Sequence, residues 1–127
     1  MSKKIISTTN APPAIGTYSQ AVVANHCLYI SGQIPLSPDT LALVEGDIGV
    51  QINQVFDNLS AICEAAGTNL GATIKFNVYL VDLKNFGKVN EIMESRLTAP
   101  YPARAMVEVS ALPKASLVEI EAIVDLG

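Results

Sequence analysis

Helical periodicity is clearest between residues 47 and 67. Asp47 is a favourable N-cap, and Gly67 supplies a stop at the C-terminal end. The apolar side chains between them recur at three- and four-residue spacing, at Ile48, Ile52, Val55, Phe56, Leu59, Ile62, Cys63 and Ala66. The pattern predicts a helix that covers a sheet with one face, and it makes Cys63 a small core residue rather than a nucleophile.

A second helix is predicted after Asp82, which we interpret as its N-cap. Its apolar positions with helical spacing are Phe86, Val89, Met93 and Leu97. Pro100 breaks the pattern. Asn90 lies at the edge of the predicted buried face, where its amide faces either solvent or a pocket, and spacing alone favours solvent.

Alternation of apolar and polar residues predicts strands elsewhere in the chain, at 3–7, 21–24, 27–31, 74–81, 104–109 and 117–126. The segments 10–17 and 34–46 are rich in proline and glycine, so we expect loops there. One face of the fourth strand is predicted to carry Ile74, Phe76, Val78 and Leu80. The order of elements predicts an α+β fold over a single domain, residues 1–127, with two helices on one face of a mixed sheet of about six strands.

Arg104 is an unusual residue for its position. It begins a strand that continues with Met106, Val107 and Val109, after the rigid Pro102. A guanidinium keeps its charge in a protein, so among apolar strand residues it needs an anionic partner, and its planar fork suits a carboxylate. That partner is either internal or a ligand.

The internal candidates are Glu119 and Glu121, which share one side of the last predicted strand with Leu117 and Ile123. If this strand and the Arg104 strand pair as a hairpin across residues 110–116, Arg104 and the two glutamates are neighbours. Spacing alone then favours a cross-strand ion pair. We also expect the uncovered sheet face to carry Arg104, Glu119 and Tyr79, and subunits to pack there.

Composition narrows the function classes. Half of the 127 residues are hydrophobic and 16% are charged, which indicates a buried oligomer interface. The net charge of -4 gives no basic field for phosphate backbones, so nucleic acid is not an expected partner.

Two cysteines and one histidine leave little scope for metal or disulfide chemistry. Cys27 and Cys63 do not make a disulfide framework, and His26 is the only histidine, so we expect no metal site. The apolar runs are short, and the start of the chain lacks a signal-peptide pattern. These features predict a cytoplasmic protein that does not span a membrane.

Several stretches together carry a family resemblance: NAPPAIGTYSQAV, YISGQIP, VYLVDLKNFGKVN, YPARAMVEVSALP and VEIEAI. The chain resembles the RidA family of reactive intermediate deaminases over nearly its whole length. The resemblance implies a chorismate-mutase-like α+β fold and a homotrimer packed sheet to sheet, with sites between subunits. It also implies hydrolysis of 2-aminoacrylate, 2-iminobutanoate and related enamines or imines to 2-oxo acids and ammonia, without a cofactor.

The resemblance also implies roles for particular residues. Arg104 holds the substrate carboxylate, and Glu119 positions or activates the attacking water. Further pocket residues carried over from the family are Tyr18, Ser31, Gly32 and Asn90. Without the resemblance, the position of Gly32 at a strand end fits a plain bulge as well as a close approach to a ligand. Glu121 is expected to be structural.

The chain departs from the family pattern at Met106, where a smaller side chain is common, and in the segment 91–101, which is about three residues short. Two other functions remain open at this point. One is a noncatalytic trimer that binds small carboxylates or other proteins. The other is an endoribonuclease, which the acidic balance and the single histidine disfavour.

Overall fold

Six strands and two helices form the fold in the computed structural model, which describes residues 3–127. In chain order they are β1 (Lys4–Ile6), β2 (Ala21–Ala24), β3 (Cys27–Gln33), α1 (Ile48–Ala65), β4 (Thr73–Leu80), α2 (Phe86–Arg96), β5 (Ala103–Glu108) and β6 (Val118–Asp125). The strands form one sheet in the order β1-β2-β3-β6-β4-β5. The predicted α+β fold with a mixed sheet and two helices is confirmed.

The hairpin considered between the last two strands does not form, because β4 lies between β5 and β6. β5 pairs with β4 in parallel, and β6 pairs with the other side of β4 in antiparallel orientation. The connection crosses the end of β4: Val109 donates to the Leu80 carbonyl on one side, and Val81 donates to the Leu117 carbonyl on the other. The chain therefore passes over a strand end instead of turning back on itself.

Helix α1 follows its sequence signals closely. The Asp47 side chain accepts a hydrogen bond from the Val50 amide, and the helix stops before Gly67, whose φ of 82° suits glycine. The apolar stripe is buried, and Phe56 meets Phe76 of β4 edge to face at 5.6 Å between ring centroids. One core cluster joins α1, the sheet and α2, so both helices cover the same sheet face.

Polar side chains of α1 fix two neighbouring loops. Gln51 accepts a hydrogen bond from the Leu117 amide at 2.9 Å, just before β6. Asn58 donates to the Leu36 carbonyl at 3.0 Å in the turn-rich segment after β3. Both side chains are buried and so need these partners.

Three local expectations need correction. Asp82 accepts from the Lys84 amide and caps a short 3-10 turn, residues 83–85, before α2 begins. Phe86 is 41% exposed, because it lies on the α2 face that meets β5 rather than in the central core. Ile74 is 44% exposed, because the β4–β6 register shifts between Thr73 and Lys75 and buries Thr73 instead.

Candidate functional site

Arg104 lies on the helix-covered side of the sheet, at its β5 edge. In the β4–β5 register it pairs with Phe76, which is buried beneath α1. Directly paired residues point to the same face of a sheet. The expectation that Arg104 shares the uncovered face with Glu119 is therefore wrong, and the cause is the parallel pairing of β5 with β4.

Helix α2 holds the guanidinium through uncharged groups. Arg104 Nη1 donates to Asn90 Oδ1 at 2.5 Å and lies 3.7 Å from the Met93 sulfur. Its Cζ lies 5.2 Å from the centroid of the Phe86 ring, a cation–π distance. Phe86, Asn90 and Met93 follow i, i+4, i+7 spacing, so one stripe of the helix faces Arg104.

The ion pair between Arg104 and a glutamate of β6, which spacing alone favoured, is absent. The ion pairs found among residues 3–127 are Lys88–Glu91 and Arg96–Asp57, and neither involves Arg104. Arg104 also borders a cavity of about 580 Å³, lined with Asn90, Met93, Glu94, Tyr101 and Pro102, which we call the arginine pocket. The guanidinium is thus oriented by neutral partners and keeps its capacity for an external anion.

Glu119 lies on the opposite side of the sheet, which we call the open face. It pairs with Tyr79 of β4, three positions along from Phe76, and this odd spacing places it opposite Arg104. The prediction for β6 is confirmed: Val118, Ile120, Ala122 and Val124 are buried in the core, and the glutamates lie on the other face.

A β-bulge brings Gly32 against Glu119. The β3–β6 register shifts between Ile30 and Gln33, which leaves Ser31 and Gly32 opposite the single residue Glu121. A Cβ at Gly32 would lie 2.9 Å from Glu119 Cδ, so only glycine fits without displacement. The bulge expected at Gly32 is confirmed, and the residue that it brings close to Gly32 is Glu119.

The carboxylates on the open face have different environments. Burial, and next the charge of Glu121, raise the pKa of Glu119 above its usual range. Glu121 accepts hydrogen bonds from Asn77 Nδ2 at 3.2 Å and from the Tyr79 hydroxyl at 3.1 Å. We call these four residues, Asn77, Tyr79, Glu119 and Glu121, the glutamate cluster.

Ser31 and Tyr18 lie near Gly32. The Ser31 hydroxyl donates to the Ser19 carbonyl at 2.6 Å, and its amide donates to the Gln20 carbonyl at 2.9 Å, so β3 is tied to the end of the Tyr18 loop. Tyr18 and Gly32 line one cavity of about 350 Å³. Tyr18 is exposed, and its hydroxyl accepts a hydrogen bond from the Ile15 amide at 3.3 Å.

Gln20 was not indicated by the sequence as a site residue, although it organises this loop. Its buried side chain accepts from the Thr8 amide at 2.7 Å and donates to the carbonyls of Thr8 at 3.0 Å and Pro12 at 2.7 Å. A glutamine beside a proline-rich loop is the only sequence signal for such a role, because amides can satisfy several loop backbone groups at once.

The predicted site residues therefore form two groups within one chain. The first joins Arg104 and Asn90 on the helix-covered side, with Met106 partly buried beside the core. The second joins Glu119 with Gly32, and Ser31 and Tyr18 adjoin Gly32 through β3 and a shared cavity. Phe86 is a further Arg104 partner that the sequence placed in the core instead.

Other kinds of site find little support in the part of the chain that is described. Residues 3–127 hold no group of three or more His, Cys, Asp or Glu side chains arranged for a metal ion. Burial raises the pKa of the Cys63 thiol to about 12, as expected for a core residue. Within the same residues, no helix combines the length and apolar character needed to cross a membrane.

Comparison with known proteins identifies the family. The sequence model of the family described as endoribonuclease L-PSP matches residues 8–126. The chain belongs to this family. A RutC family protein of Pyrococcus horikoshii is 51% identical over 121 residues, which cover 95% of this chain and 96% of the relative.

Further members carry more specific names. The mouse protein named 2-iminobutanoate/2-iminopropanoate deaminase is 46% identical over 125 residues, covering 98% of this chain and 93% of the mouse protein. The crystal structure of RidA from the Antarctic bacterium Psychrobacter sp. matches with a TM-score of 0.92 and 52% identity, covering 96% of this chain and 98% of that one. The resemblance to the RidA family is confirmed.

Proposed function

We propose that this protein hydrolyses reactive 2-enamino and 2-imino acids, such as 2-aminoacrylate and 2-iminobutanoate, to 2-oxo acids and ammonia. The observation that carries the proposal is Arg104, which three neutral side chains orient beside a cavity of about 580 Å³. Such a guanidinium suits the carboxylate that all these substrates share. The name of the mouse relative supports the same substrate class.

The reaction needs water and a proton acceptor. An enamine first becomes the imine when its terminal carbon gains a proton and its nitrogen loses one. Water then adds to the C=N carbon of R–C(=NH)–COO⁻, and the resulting carbinolamine loses ammonia to leave R–CO–COO⁻. Arg104 holds the carboxylate, and Asn90 fixes the direction of the guanidinium. Glu119 accepts a proton from the attacking water, and its raised pKa makes it a stronger base than an ordinary carboxylate. Tyr18 and the Ser31–Gly32 backbone form the wall beside Glu119.

A second copy of the chain completes the site in this proposal. Arg104 and Glu119 lie on opposite sides of one sheet, so a substrate held by Arg104 does not reach Glu119 of the same chain. Packing of open faces in a homotrimer places the Glu119 group of one copy beside the arginine pocket of the next. Exposed Tyr29 and Val107 and half-buried Ile123 give this face the apolar surface that such packing buries.

The test is ammonia release from 2-iminobutanoate generated in place by a threonine dehydratase. The wild-type protein is expected to accelerate release above the spontaneous rate, and Arg104→Ala is expected to lose the acceleration. Loss of a charge-assisted contact costs about 1.5–3 kcal/mol, or about 10- to 150-fold in substrate affinity.

Arg96→Ala is the matched control. Arg96 binds Asn53 and Asp57 on α1 at distances of 3.1 and 2.8 Å, away from the arginine pocket, so this variant should keep its activity. Acceleration that survives in Arg104→Ala would contradict the proposed site. No acceleration by a folded wild-type oligomer would instead favour a protein that binds small carboxylates without turnover.

A further inference from the structure

Glu121 is held more firmly than its neighbour Glu119. In the β4–β6 register, Asn77 pairs with Glu121 and Tyr79 pairs with Glu119, and all four side chains point to the open face. Asn77 Nδ2 binds Glu121 Oε2 at 3.2 Å, and the Tyr79 hydroxyl binds Oε1 at 3.1 Å. Each carboxylate oxygen thus has its own donor, which fixes the plane of the group.

Glu119 lacks comparable support. Among residues 3–127 no side chain or backbone amide donates a hydrogen bond to its carboxylate, although the residue is half-buried against Gly32. The two glutamates are two residues apart on one strand, so their Cα atoms are about 7 Å apart. The cluster therefore holds one fully hydrogen-bonded carboxylate beside one that is free to contact water or a ligand.

We propose that Glu121 is a positioning residue for the deamination reaction: its fixed negative charge, held by Asn77 and Tyr79, keeps Glu119 able to exchange a proton during turnover. This inference rests on the proposed function, in which Glu119 is the proton acceptor. It gives Glu121 a role beyond the structural one that its place in the sheet indicates.

The physical basis is that two neighbouring carboxylates have different surroundings. Hydrogen bonds from Asn77 and Tyr79 hold the Glu121 carboxylate in place beside Glu119. Its charge then adds to burial in raising the pKa of Glu119. Burial, the hydrogen bond to Glu121 and the nearby carboxylates also raise the pKa of Tyr79, which keeps the phenol protonated as a donor. A carboxyl group whose pKa lies nearer to neutrality is a more effective proton-transfer group.

Other titratable groups face the same region from neighbouring elements. They are Cys27 and Tyr29 on β3, Lys75 on β4, Asp125 on β6, and Lys114 in the turn that borders the Gly32 cavity. Lys75 pairs with Ile123, and Cys27 pairs with Asp125, so these groups lie further along the sheet than Glu121. Within residues 3–127 none forms an ion pair with Glu119. Glu121 is therefore the charge that acts on Glu119 most directly.

The test is a titration of the side-chain carboxyl groups by NMR in protein labelled at the glutamate carboxyl carbon. The wild type is compared with Glu121→Gln, and Asp125→Asn is the matched control, since it removes a carboxylate from the same strand and face. We expect the Glu119 titration to move to lower pH in Glu121→Gln and to stay in place in Asp125→Asn. An unchanged Glu119 titration in folded Glu121→Gln would overturn the proposal.

The pH dependence of kcat/KM gives the functional readout. The acidic limb should move to lower pH in Glu121→Gln, and Glu121→Asp should restore it toward the wild-type position. A limb that stays in place while overall activity falls would contradict the positioning role, because a structural role predicts only the fall. If no variant and no wild-type sample turns over imines, the proposed function fails, whereas the NMR titration still decides the coupling between the glutamates.

Tyr79→Phe provides a second variant if Glu121→Gln does not fold. It removes one of the two donors to Glu121 without changing the ring. Because Glu121 is then held by Asn77 alone, its charge is less firmly placed beside Glu119, and the Glu119 titration should move to lower pH by less than in Glu121→Gln. An unchanged Glu119 titration in this variant would also overturn the proposal.

Discussion

The arginine pocket and the glutamate cluster differ in what surrounds their charged groups. Arg104 is oriented by an amide, a thioether and an aromatic ring, none of which neutralises it. Glu119 instead stands beside a second carboxylate, and its pKa rises as a result of burial and that charge. The Arg104 guanidinium therefore remains available to bind an anion. The Glu119 carboxylate binds a proton more readily than an ordinary glutamate does. The sheet separates the two within one chain.

In the proposed reaction, substrate binding and proton transfer would therefore depend on separate parts of the fold. The arginine pocket depends on the contact between α2 and β5, whereas the glutamate cluster depends on the register of β6 with β3 and β4. Variants in one region should therefore change binding and variants in the other should change rate.

Glu119→Gln should have the largest effect. Loss of the general base is expected to lower kcat by about 10²–10⁴-fold, while KM stays near the wild-type value. Steady-state kinetics with enzymatically generated 2-iminobutanoate measure both constants. Glu108→Gln is a suitable control. Glu108 ends the edge strand β5, and its carboxylate accepts a hydrogen bond from the Leu83 amide, outside both regions. An equal loss of binding would show that Glu119 supports the fold of the pocket instead.

Mixed oligomers test whether the two regions meet between copies. Arg104→Ala and Glu119→Gln should each be inactive alone. Random assembly of equal amounts should restore about one quarter of wild-type activity, because each intersubunit site then receives an intact arginine half of the time and an intact glutamate half of the time. The mixture is made by co-expression and assayed for ammonia release. A mixture as inactive as its components would contradict a site shared between copies.

Phe86→Leu should weaken binding more modestly. The ring contact with the Arg104 guanidinium contributes about 0.5–1 kcal/mol at an exposed position, so KM should rise about two- to fivefold with little change in kcat. Phe86→Tyr keeps the aromatic face and should behave as wild type. A fall in kcat without a change in KM would break the division between a binding region and a rate region.

Local sequence patterns predicted the parts of this fold that depend on neighbouring residues. The caps and apolar stripe of α1 and the two faces of β6 follow directly from spacing. The position of β5 does not, because two strands close in sequence pair with different sides of β4, and only long-range packing decides this. That one error placed Arg104 on the wrong face and suggested an ion pair with Glu119.

The candidate site shows the same limit. Family motifs indicated Arg104, Glu119, Gly32 and Asn90, but their division between two faces requires the register. Phe86 could have been recognised as an Arg104 partner from its i, i+4 spacing with Asn90. The Gln20 contacts are harder to foresee, since they join loop backbone groups that have no periodicity.

Glu119→Gln should raise the thermal stability although it lowers the activity. This effect should be the smallest of the series. The folded state raises the pKa of this carboxyl group above its unfolded value of about 4.3, so ionisation opposes folding. Below that unfolded value both states are protonated, and Glu119→Gln should melt close to the wild type. As the pH rises through the folded pKa, the wild type loses stability and the variant does not, so the variant should have the higher Tm near neutral pH.

Calorimetric melting at about pH 3, below the unfolded value, and at about pH 7.5 measures the difference. Asp125→Asn on the same strand is the control, because its carboxylate is exposed and, among residues 3–127, accepts only from the Gly127 amide, at the end of the chain. A Tm difference between Glu119→Gln and the wild type that is the same at both pH values would show that packing, not charge, causes it. A difference that grows with pH would show that Glu119 is kept at a cost in stability, as expected for a residue retained for proton transfer.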